Sequence, residues 1–435
     1  MPRLLSLLLL SLPLLCLAEP VQLRIQGSNT IGTALGPALV QGMLRSKGAT
    51  TIEHCAGAVP NEIAITAQGR DGELLSVLIA AHGSSTGFAA LGSGAADLVA
   101  SSRPISDVEV DQLQAFGDLR SGRSEQVIGL DGVAVIVHPD NPLTSLTTAQ
   151  LAQVFAGQVT RWEQLGVAGG AIRLYARDDR SGTFETFKAL VLDPVRSALS
   201  GEARRFESSD ALVEQVQSDR QAIGFSSLAA VHGAKVLAIA AGDAPALPPS
   251  RALVASEDYP LSRRLYFYLP ASPQPLAQAL ADFAQSPAGQ VIVAEQGFVN
   301  QQVKALPIPT QTDMPARYRS LALEGRRLTV NFRFQEGSAS LDSKALRDVH
   351  RVADFLQQAG HEQTRTLLVG FGDPKETPGR AALLSRLRAM AVRRELAHEG
   401  VQNIDVLGMG AELPVAGNEQ EQGRHRNRRV EVWVY

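Results

Sequence analysis

The pattern of hydrophobic and polar positions divides this chain into two segments, each of which alternates strands with helices. In the first segment, apolar runs at residues 21–26 and 132–137 precede amphipathic stretches at 33–44 and 148–155. Such alternation predicts an α/β fold with mainly parallel sheets. The segment extends to about residue 300, which is large for one compact core, so we expect two lobes.

A proline-containing stretch separates the two segments. Three prolines interrupt any regular element there and predict an extended linker over 306–325. We therefore expect a first domain at 19–305 and a smaller α/β domain at 326–435. In the second domain, the periodicities predict strands at 328–334, 366–370, 404–408 and 430–435, and helices at 342–358 and 380–398.

The first residues predict export. Arg3 is followed by an apolar run over 4–17 that is too short to span a bilayer, and Ala18 then offers a cleavage point. This is the pattern of a signal peptide at 1–18, which directs a protein to the periplasm. An uncleaved anchor and lipid attachment at Cys16 are the alternatives.

Composition narrows the function classes. A hydrophobic content of 45% and a charged content of 20% are typical of a soluble globular protein, and the net charge of −3 argues against a nucleic-acid partner. Removal of the signal peptide leaves Cys55 as the only cysteine, so no disulfide can form within the chain. Because the sequence has neither a cysteine cluster nor a paired histidine spacing, we expect no metal and no cofactor.

The turn from Arg177 to Thr183 contains the largest group of candidate ligand-binding residues, and it lies between a predicted strand and a predicted helix. Ser181, Gly182 and Thr183 occupy positions where the first N–H groups of a helix have no intrahelical partner. Those donors and the positive helix end favour an anion. Arg177 adds a guanidinium, which Asp179 is placed to orient. The turn therefore predicts a socket for a small tetrahedral anion.

Three other turns of the first domain share this chemistry, since each places hydroxyls and backbone amides between a strand and a helix. Taken singly, each turn is equally explained as an ordinary cap or loop. In open α/β sheets, however, ligands bind at the carboxyl ends of the strands, so we expect all four turns to meet at one cleft. The three turns contain Ser28, Asn29 and Thr30, then Ser84, and then Ser102 and Arg103.

These turns together give the first domain a resemblance to the periplasmic phosphate-binding proteins of ABC-type phosphate uptake. The resemblance implies a bilobed type II periplasmic-binding-protein fold that closes on phosphate, with an ABC permease as partner. The matching segments are 27–30, 83–87, 96–104, 141–143, 151–157, 161–162 and 177–183. The anion-binding residues that it implies are Ser28, Asn29, Thr30, Ser84, Ser102, Arg103, Arg177, Asp179, Ser181, Gly182 and Thr183.

One departure from the family concerns ligand selectivity. Ser102 stands where some members hold an aspartate that accepts a proton from the phosphate. Selection of phosphate over sulfate therefore stays open unless Asp179 supplies the acceptor. We expect binding of phosphate or a similar oxyanion.

A catalytic alternative comes from residues 83–87, which fit the G-x-S-x-G pattern of a hydrolase nucleophile turn. Ser85 would be the nucleophile, with His138 or His232 as its base. This alternative leaves the other three anion-binding turns without a role. We therefore expect a protein that is not an enzyme.

The second domain carries a different pair of charges. Asp373 follows a predicted strand and Arg388 lies on the next predicted helix, and their spacing alone favours an ordinary turn residue and a solvated helix charge. If they face one pocket, they can instead hold the two ends of a zwitterion. With residues 427–429, this pair resembles the OmpA-like peptidoglycan-binding domain, which implies a mixed sheet. In that family the aspartate binds the amine of diaminopimelate and the arginine binds its carboxylate.

The two resemblances together predict a phosphate receptor that is tethered to peptidoglycan in the envelope of a Gram-negative cell, near the cell wall or outer membrane. Phosphate uptake is the expected role. A wall-associated protein whose anion site serves sensing or attachment is the alternative.

Overall fold

The computed structural model describes most of the chain after the predicted signal peptide, and residues 1–18 lie outside the described part. The described residues are 22–435 with the exception of 58, 71, 180, 313, 336–337, 339, 359–363 and 376. Among them, no helix combines the length and the apolar composition that crossing a bilayer requires.

The first domain alternates strands with helices, as the hydrophobic pattern predicts. Its strands are β1 (Leu23–Gly27), β2 (Thr51–Ala56), β3 (Glu62–Gln68), β4 (Leu74–Ala81), β5 (Leu98–Ser101), β6 (Glu125–Val137), β7 (Ser145–Thr147), β8 (Arg173–Arg177), β9 (Arg204–Phe206), β10 (Ala222–Ser227), β11 (Lys235–Val236), β12 (Ala238–Ala240) and β13 (Ser262–Tyr268). Its helices are α1 (Gly36–Ser46), α2 (Ser84–Gly92), α3 (Asp107–Gln112), α4 (Thr148–Phe155), α5 (Gly182–Phe187), α6 (Ser209–Ser218), α7 (Arg251–Ala255), α8 (Pro275–Gln285) and α9 (Pro287–Glu295).

Two lobes share the long strand β6. Lobe 1 contains β1–β5, α1–α3, α8 and α9, and its strands follow the order β2-β3-β4-β1-β5-β13-β6. Lobe 2 contains β7–β12 and α4–α7, and its main sheet follows the order β6-β10-β8-β9. The strands β6 and β13 pair antiparallel between the lobes, from Ser262↔Gly132 to Tyr268↔Glu125. Both strands therefore lie at the boundary between the lobes, and we call them the hinge strands.

The prediction of mainly parallel sheets is wrong. Parallel pairing holds where a helix connects the strands, as between β1, β4 and β5 and between β8, β9 and β10. The strands β2, β3 and β4 pair antiparallel, as do β13 and β6. Short turns join β2 to β3 and β3 to β4, and such turns can join only antiparallel neighbours. The result is a mixed sheet in each lobe.

Each lobe has its own hydrophobic core. Leu23, Ile79 and Phe267 are among the buried side chains of lobe 1. In lobe 2, Phe187 stacks on Phe225, with ring centroids 4.0 Å apart. Independent cores allow the lobes to move as rigid bodies about the hinge strands.

The second domain is built on a separate sheet of five strands with the order β14-β15-β18-β16-β17. Only β16 and β17 pair parallel, so this sheet is mixed, as predicted. The strands are β14 (Ala305–Leu306), β15 (Arg326–Arg333), β16 (Thr366–Gly370), β17 (Ile404–Gly408) and β18 (Arg429–Val434). The helices are α10 (Ala316–Glu324), α11 (Ser343–Gln357), α12 (Pro378–His398) and α13 (Glu421–Asn427).

The predicted linker contains the helix α10, so its description as fully extended is wrong. The last of its prolines, Pro315, is the N-cap of α10, a position where the missing N–H costs nothing. Tyr318 then fixes the helix, since its hydroxyl donates to Glu431 over 2.9 Å and its ring packs on Trp433. Tertiary contacts therefore order a segment that the composition alone marks as irregular.

Candidate functional site

The four predicted turns meet between the lobes. Across the cleft, a Cβ added to Gly182 would lie 2.3 Å from Thr30 Oγ1, so lobe 1 and lobe 2 touch at this point and only glycine fits. Within lobe 1, Ser84 Oγ accepts a hydrogen bond from the backbone N–H of Ser102 over 3.2 Å. Gly27 permits the first turn, because its φ of 138° and the nearby carbonyl of Ala100 exclude a side chain.

Small hydroxyl side chains line this meeting point, and they are buried. Ser28, Thr30, Ser84, Ser102 and Ser181 all retain at most 8% of their exposed surface. Ser28 Oγ is buried without a hydrogen-bond partner among the described residues. A buried hydroxyl without a partner is unusual and marks a place where a polar ligand fits.

A buried arginine that the sequence analysis missed joins the turns. Arg263, at the start of β13, donates from Nη2 to Thr30 Oγ1 over 2.6 Å and to the carbonyl of Gly182 over 2.8 Å. Its Nη1 lies 3.4 Å from the carbonyl of Ser102. Burial lowers the pKa of this guanidinium, and the neighbouring Asp131 opposes that effect. Arg263 thus contacts both lobes from the hinge strand.

Two carboxylates that the sequence analysis also missed lie beside Arg263. Asp131 Oδ2 is 3.5 Å from Arg263 Nε, which has no hydrogen-bond partner within the described chain. Glu185, on the first turn of α5, accepts from Thr30 Oγ1 over 3.3 Å and from Ser84 Oγ over 3.4 Å. Glu185 belongs to lobe 2 and both of its donors belong to lobe 1. We call Thr30, Ser84, Ser102, Glu185 and Arg263 the cleft cluster.

Arg177 lies at the edge of this site. Its guanidinium donates to the carbonyls of Phe206 and Glu207 and to the hydroxyl of Ser209, and burial lowers its pKa. A cavity of about 350 Å³ separates it from the cleft cluster. The cavity is lined by residues of both lobes, including Asn29, Thr30, Asp131, Arg177, Ser181, Gly182 and Thr183.

Two predicted residues are engaged by local ion pairs. Asp179 is 87% exposed and pairs with Arg205, so it neither orients Arg177 nor lies beside the hydroxyls. Arg103 forms a two-bond ion pair with Glu109 at 2.7 and 2.8 Å, and it also donates to Ser85. Each residue therefore pairs within its own lobe, and Arg103 in addition interacts electrostatically with Glu185 of the cleft cluster.

The residues of the hydrolase alternative do not share a site. Ser85 Oγ accepts a hydrogen bond from Arg103 over 2.8 Å on lobe 1. His138 and His232 lie on lobe 2, where His138 accepts from the backbone of Asp140 and His232 approaches Asp210 at 3.6 Å. The contacts of these side chains therefore do not assemble a nucleophile with its base.

The arrangement between the lobes suits a tetrahedral oxyanion. Hydroxyls and a guanidinium supply donors from several directions, and such donors bind anionic oxygen strongly when they are out of water. The Glu185 carboxylate is an acceptor within the same set, so it favours an anion that still carries an O–H group. A weak sequence signal existed for Asp131, which is a charge among the apolar residues of β6, whereas Arg263 lies beside Arg264 in the polar start of β13 and gave none.

In the second domain, the structure brings Asp373 and Arg388 to the same pocket. If Gly372, the residue before Asp373, carried a Cβ atom, that atom would lie 2.9 Å from Arg388 Nη1. Asp373 accepts from Lys375 over 2.7 Å and from Arg428 over 3.1 Å. Burial opposes ionisation of Asp373, but these two cations outweigh it and lower its pKa. Asn427 instead holds the backbone of residues 415–416.

Comparison with known proteins identifies the family of the chain. The family model described as the PBP superfamily domain matches residues 20–288. The chain belongs to the PBP superfamily. Among PBP-superfamily relatives, the phosphate-binding protein PstS of Pseudomonas aeruginosa is 30% identical over 244 residues, which cover 52% of this chain and 74% of that protein.

A solved structure supports the bilobed PBP fold. A possible phosphate binding protein from Planctomyces limnophilus DSM 3776 superposes with a TM-score of 0.52 at 22% identity, covering 64% of this chain and 92% of that one. The model of the OmpA family matches residues 333–428. Outer membrane porin F of Pseudomonas aeruginosa is 37% identical over 110 residues, which cover 25% of this chain and 30% of that protein. This PBP-superfamily chain therefore carries a C-terminal OmpA domain.

Proposed function

We propose that this chain is a non-enzymatic periplasmic binding protein for phosphate or a similar oxyanion, which its OmpA domain tethers to peptidoglycan. In this proposal the signal peptide is 1–18, the binding domain is 19–305 and the wall-binding domain is 326–435. The main role is phosphate uptake, with delivery to an ABC permease. The PstS relative and the OmpA family match support these assignments.

The observation that carries the oxyanion assignment is the cleft cluster around Arg263. The guanidinium donates to acceptors of both lobes, and the buried Ser28 Oγ of the first turn has no hydrogen-bond partner among the described residues. An oxyanion between the lobes would satisfy such a donor, and it would add contacts only in the closed arrangement. Titration calorimetry of the full chain should therefore detect binding of phosphate. Absence of heat with phosphate, arsenate and sulfate would contradict the proposal.

Glu185 gives a test of selectivity. Phosphate carries an O–H group at neutral pH and sulfate does not. The Glu185 carboxylate therefore accepts a hydrogen bond from phosphate and repels sulfate. In Glu185→Gln, the ratio of phosphate affinity to sulfate affinity should fall by about 10–150-fold, the equivalent of one charged hydrogen bond of about 1.5–3 kcal/mol. Calorimetry with both anions measures this ratio. Glu214→Gln, on the exposed face of α6, is the matched control and should leave it unchanged. An unaltered ratio in Glu185→Gln would remove Glu185 from the proposed site.

The wall-binding assignment rests on the pocket of Asp373 and Arg388. A ligand amine would replace Lys375 or Arg428 at Asp373, while Arg388 would hold a carboxylate. Arg388→Ala should weaken co-sedimentation with purified peptidoglycan by roughly tenfold or more, since it removes a charge-assisted hydrogen bond. Arg386→Ala is the matched control, because Arg386 lies on the exposed face of the same helix. Equal sedimentation of the two variants would argue against this pocket.

A further inference from the structure

The OmpA domain contacts lobe 1 through the helix α11. Ser343, its first residue, donates to the carboxylate of Glu125 at the start of β6. One turn later, Arg347 donates to the carbonyl of Gly122 over 3.0 Å. Arg351, one turn further, donates to the side chain of Gln285 at the end of α8. Three successive turns of one helix therefore lie against lobe 1.

The OmpA domain also contacts lobe 2, through its sheet. Asp258, which is 1% exposed, accepts from Arg327 over 2.6 Å and from Asn331 over 2.8 Å, both on β15. Arg333, further along β15, donates to the carbonyls of Ser256 and Glu257. We call these contacts, with the ion pair of Arg264 described next, the interdomain network. Its charges are buried and paired, so separation of the surfaces leaves them unpaired.

The hinge strand β13 links the interdomain network to the cleft. Arg263 faces the cleft cluster, and the next residue, Arg264, pairs with Glu257 and donates to Asp342 of the OmpA domain over 2.8 Å. Consecutive residues of a strand point to opposite faces, so one strand segment serves both sites. A shift of β13 that opens the cleft therefore also displaces Arg264 from Asp342.

We propose that the OmpA domain braces the hinge in the closed arrangement of the lobes, so that oxyanion affinity depends on the interdomain network. Opening the lobes changes the position of Glu125 relative to Asp258, yet both are attached to the same OmpA domain. The brace therefore stabilises the closed state and slows release of the ligand. The coupling is reciprocal: whatever weakens attachment of the OmpA domain to the lobes lowers oxyanion affinity, and a bound oxyanion strengthens that attachment. The identity of the ligand in this inference rests on the proposed function.

The test weakens the contacts between the OmpA domain and lobe 1 without altering the cleft cluster. The double variant Ser343→Ala/Arg347→Ala removes two contacts to lobe 1 and leaves the cleft cluster intact. We expect its phosphate Kd to rise by about 5–150-fold, the usual range for coupled sites, with a faster dissociation rate. Arg365→Ala is the matched control, because Arg365 pairs with Asp405 inside the OmpA domain and is exposed. Its phosphate Kd should not change.

A distance measurement tests the brace independently of ligand affinity. Spin labels at Gln112→Cys on lobe 1 and Glu214→Cys on lobe 2, in a Cys55→Ser background, report closure of the full chain. With the brace intact, one narrow distance population should be present with and without phosphate. In the double variant, a second, longer population should appear and should disappear at saturating phosphate.

The outcomes separate this inference from the proposed function. If no variant binds phosphate, the proposed function fails, and the spin-label distances still decide whether the brace exists. If the double variant keeps the single narrow population and an unchanged phosphate Kd, the brace is wrong although phosphate binding stands. If the distance distribution broadens in the double variant but not in the native chain, the brace is supported.

Discussion

Replacement of Arg263 by alanine is expected to weaken phosphate binding by about 2–5 kcal/mol, or roughly thirtyfold to several thousandfold in Kd. The reason is the position of this guanidinium. It is 7% exposed and touches both Thr30 of lobe 1 and Gly182 of lobe 2, so it contributes fully only when the lobes are closed. Its loss also leaves Asp131 as a buried carboxylate that repels an anion. Titration calorimetry with phosphate measures the effect.

Two comparisons make this result specific. Arg263→Lys keeps the charge but lacks the planar fork that spans both lobes, so its Kd should lie between those of the native chain and Arg263→Ala. Arg177→Ala should cost less, because Arg177 is already engaged by the Phe206 and Glu207 carbonyls at the edge of the site. Circular dichroism without ligand confirms that each variant is folded. If Arg263→Ala bound phosphate like the native chain, the cleft cluster would not be the binding site.

Replacement of Asp258 by alanine is expected to destabilise the chain by about 3–5 kcal/mol. Asp258 is the shared partner of Arg327, Arg333 and Arg429, all of them buried between lobe 2 and the OmpA domain. Its removal leaves three buried guanidinium groups with only Glu257 and Glu431 as counter-charges among the described residues. Thermal and urea unfolding of the full chain measure the loss. Asp405→Ala, which breaks an exposed ion pair with Arg365, should cost less than about 1 kcal/mol.

The same interface predicts the direction of acid sensitivity. Burial opposes ionisation of Asp258 and Glu257, but the surrounding arginines outweigh it and lower the pKa of both carboxyls. A carboxyl with a lowered pKa stabilises the folded state above its unfolded pKa of about 4, and this stabilisation is lost as the pH falls further. The free energy of unfolding should thus be lower at pH ~3 than at pH ~7. Asp258→Asn should reduce that difference, and an unchanged difference would contradict the assignment.

The sequence predicts those parts of the site that depend on neighbouring residues. A strand followed by Ser, Gly or Thr and then a helix is a local pattern, and it locates Ser84 and Ser181 correctly at helix starts. The strands at 366–370 and 404–408 are likewise confirmed at their predicted bounds, because both are short apolar runs between clear turns. Secondary structure that depends on neighbouring residues can therefore be predicted from this sequence.

The rest of the site depends on contacts between distant residues. Arg263 reaches Thr30 over a separation of 233 positions, so no window of sequence places them together. Asp179 was assigned to Arg177 because they are near in sequence, whereas the pairing of β8 with β9 brings Arg205 to it instead. The charges of β15 are likewise buried by contacts with residues 256–258 of lobe 2, far away in the sequence. Tertiary packing decides which charges become functional.

The connection between the domains limits how far they can separate. Val299 pairs with Leu130 at the hinge, and Ala305, six positions later, already pairs with Leu328 in the sheet of the OmpA domain. Even a fully extended chain of that length spans only about 20 Å. With every interface bond broken, the two surfaces would still face each other at a high effective concentration and would rebind rapidly. An insertion between residues 299 and 305 would lower this effective concentration only gradually, by about 0.6 kcal/mol for each doubling of the connection. It would therefore loosen the assembly less than the loss of a buried ion pair.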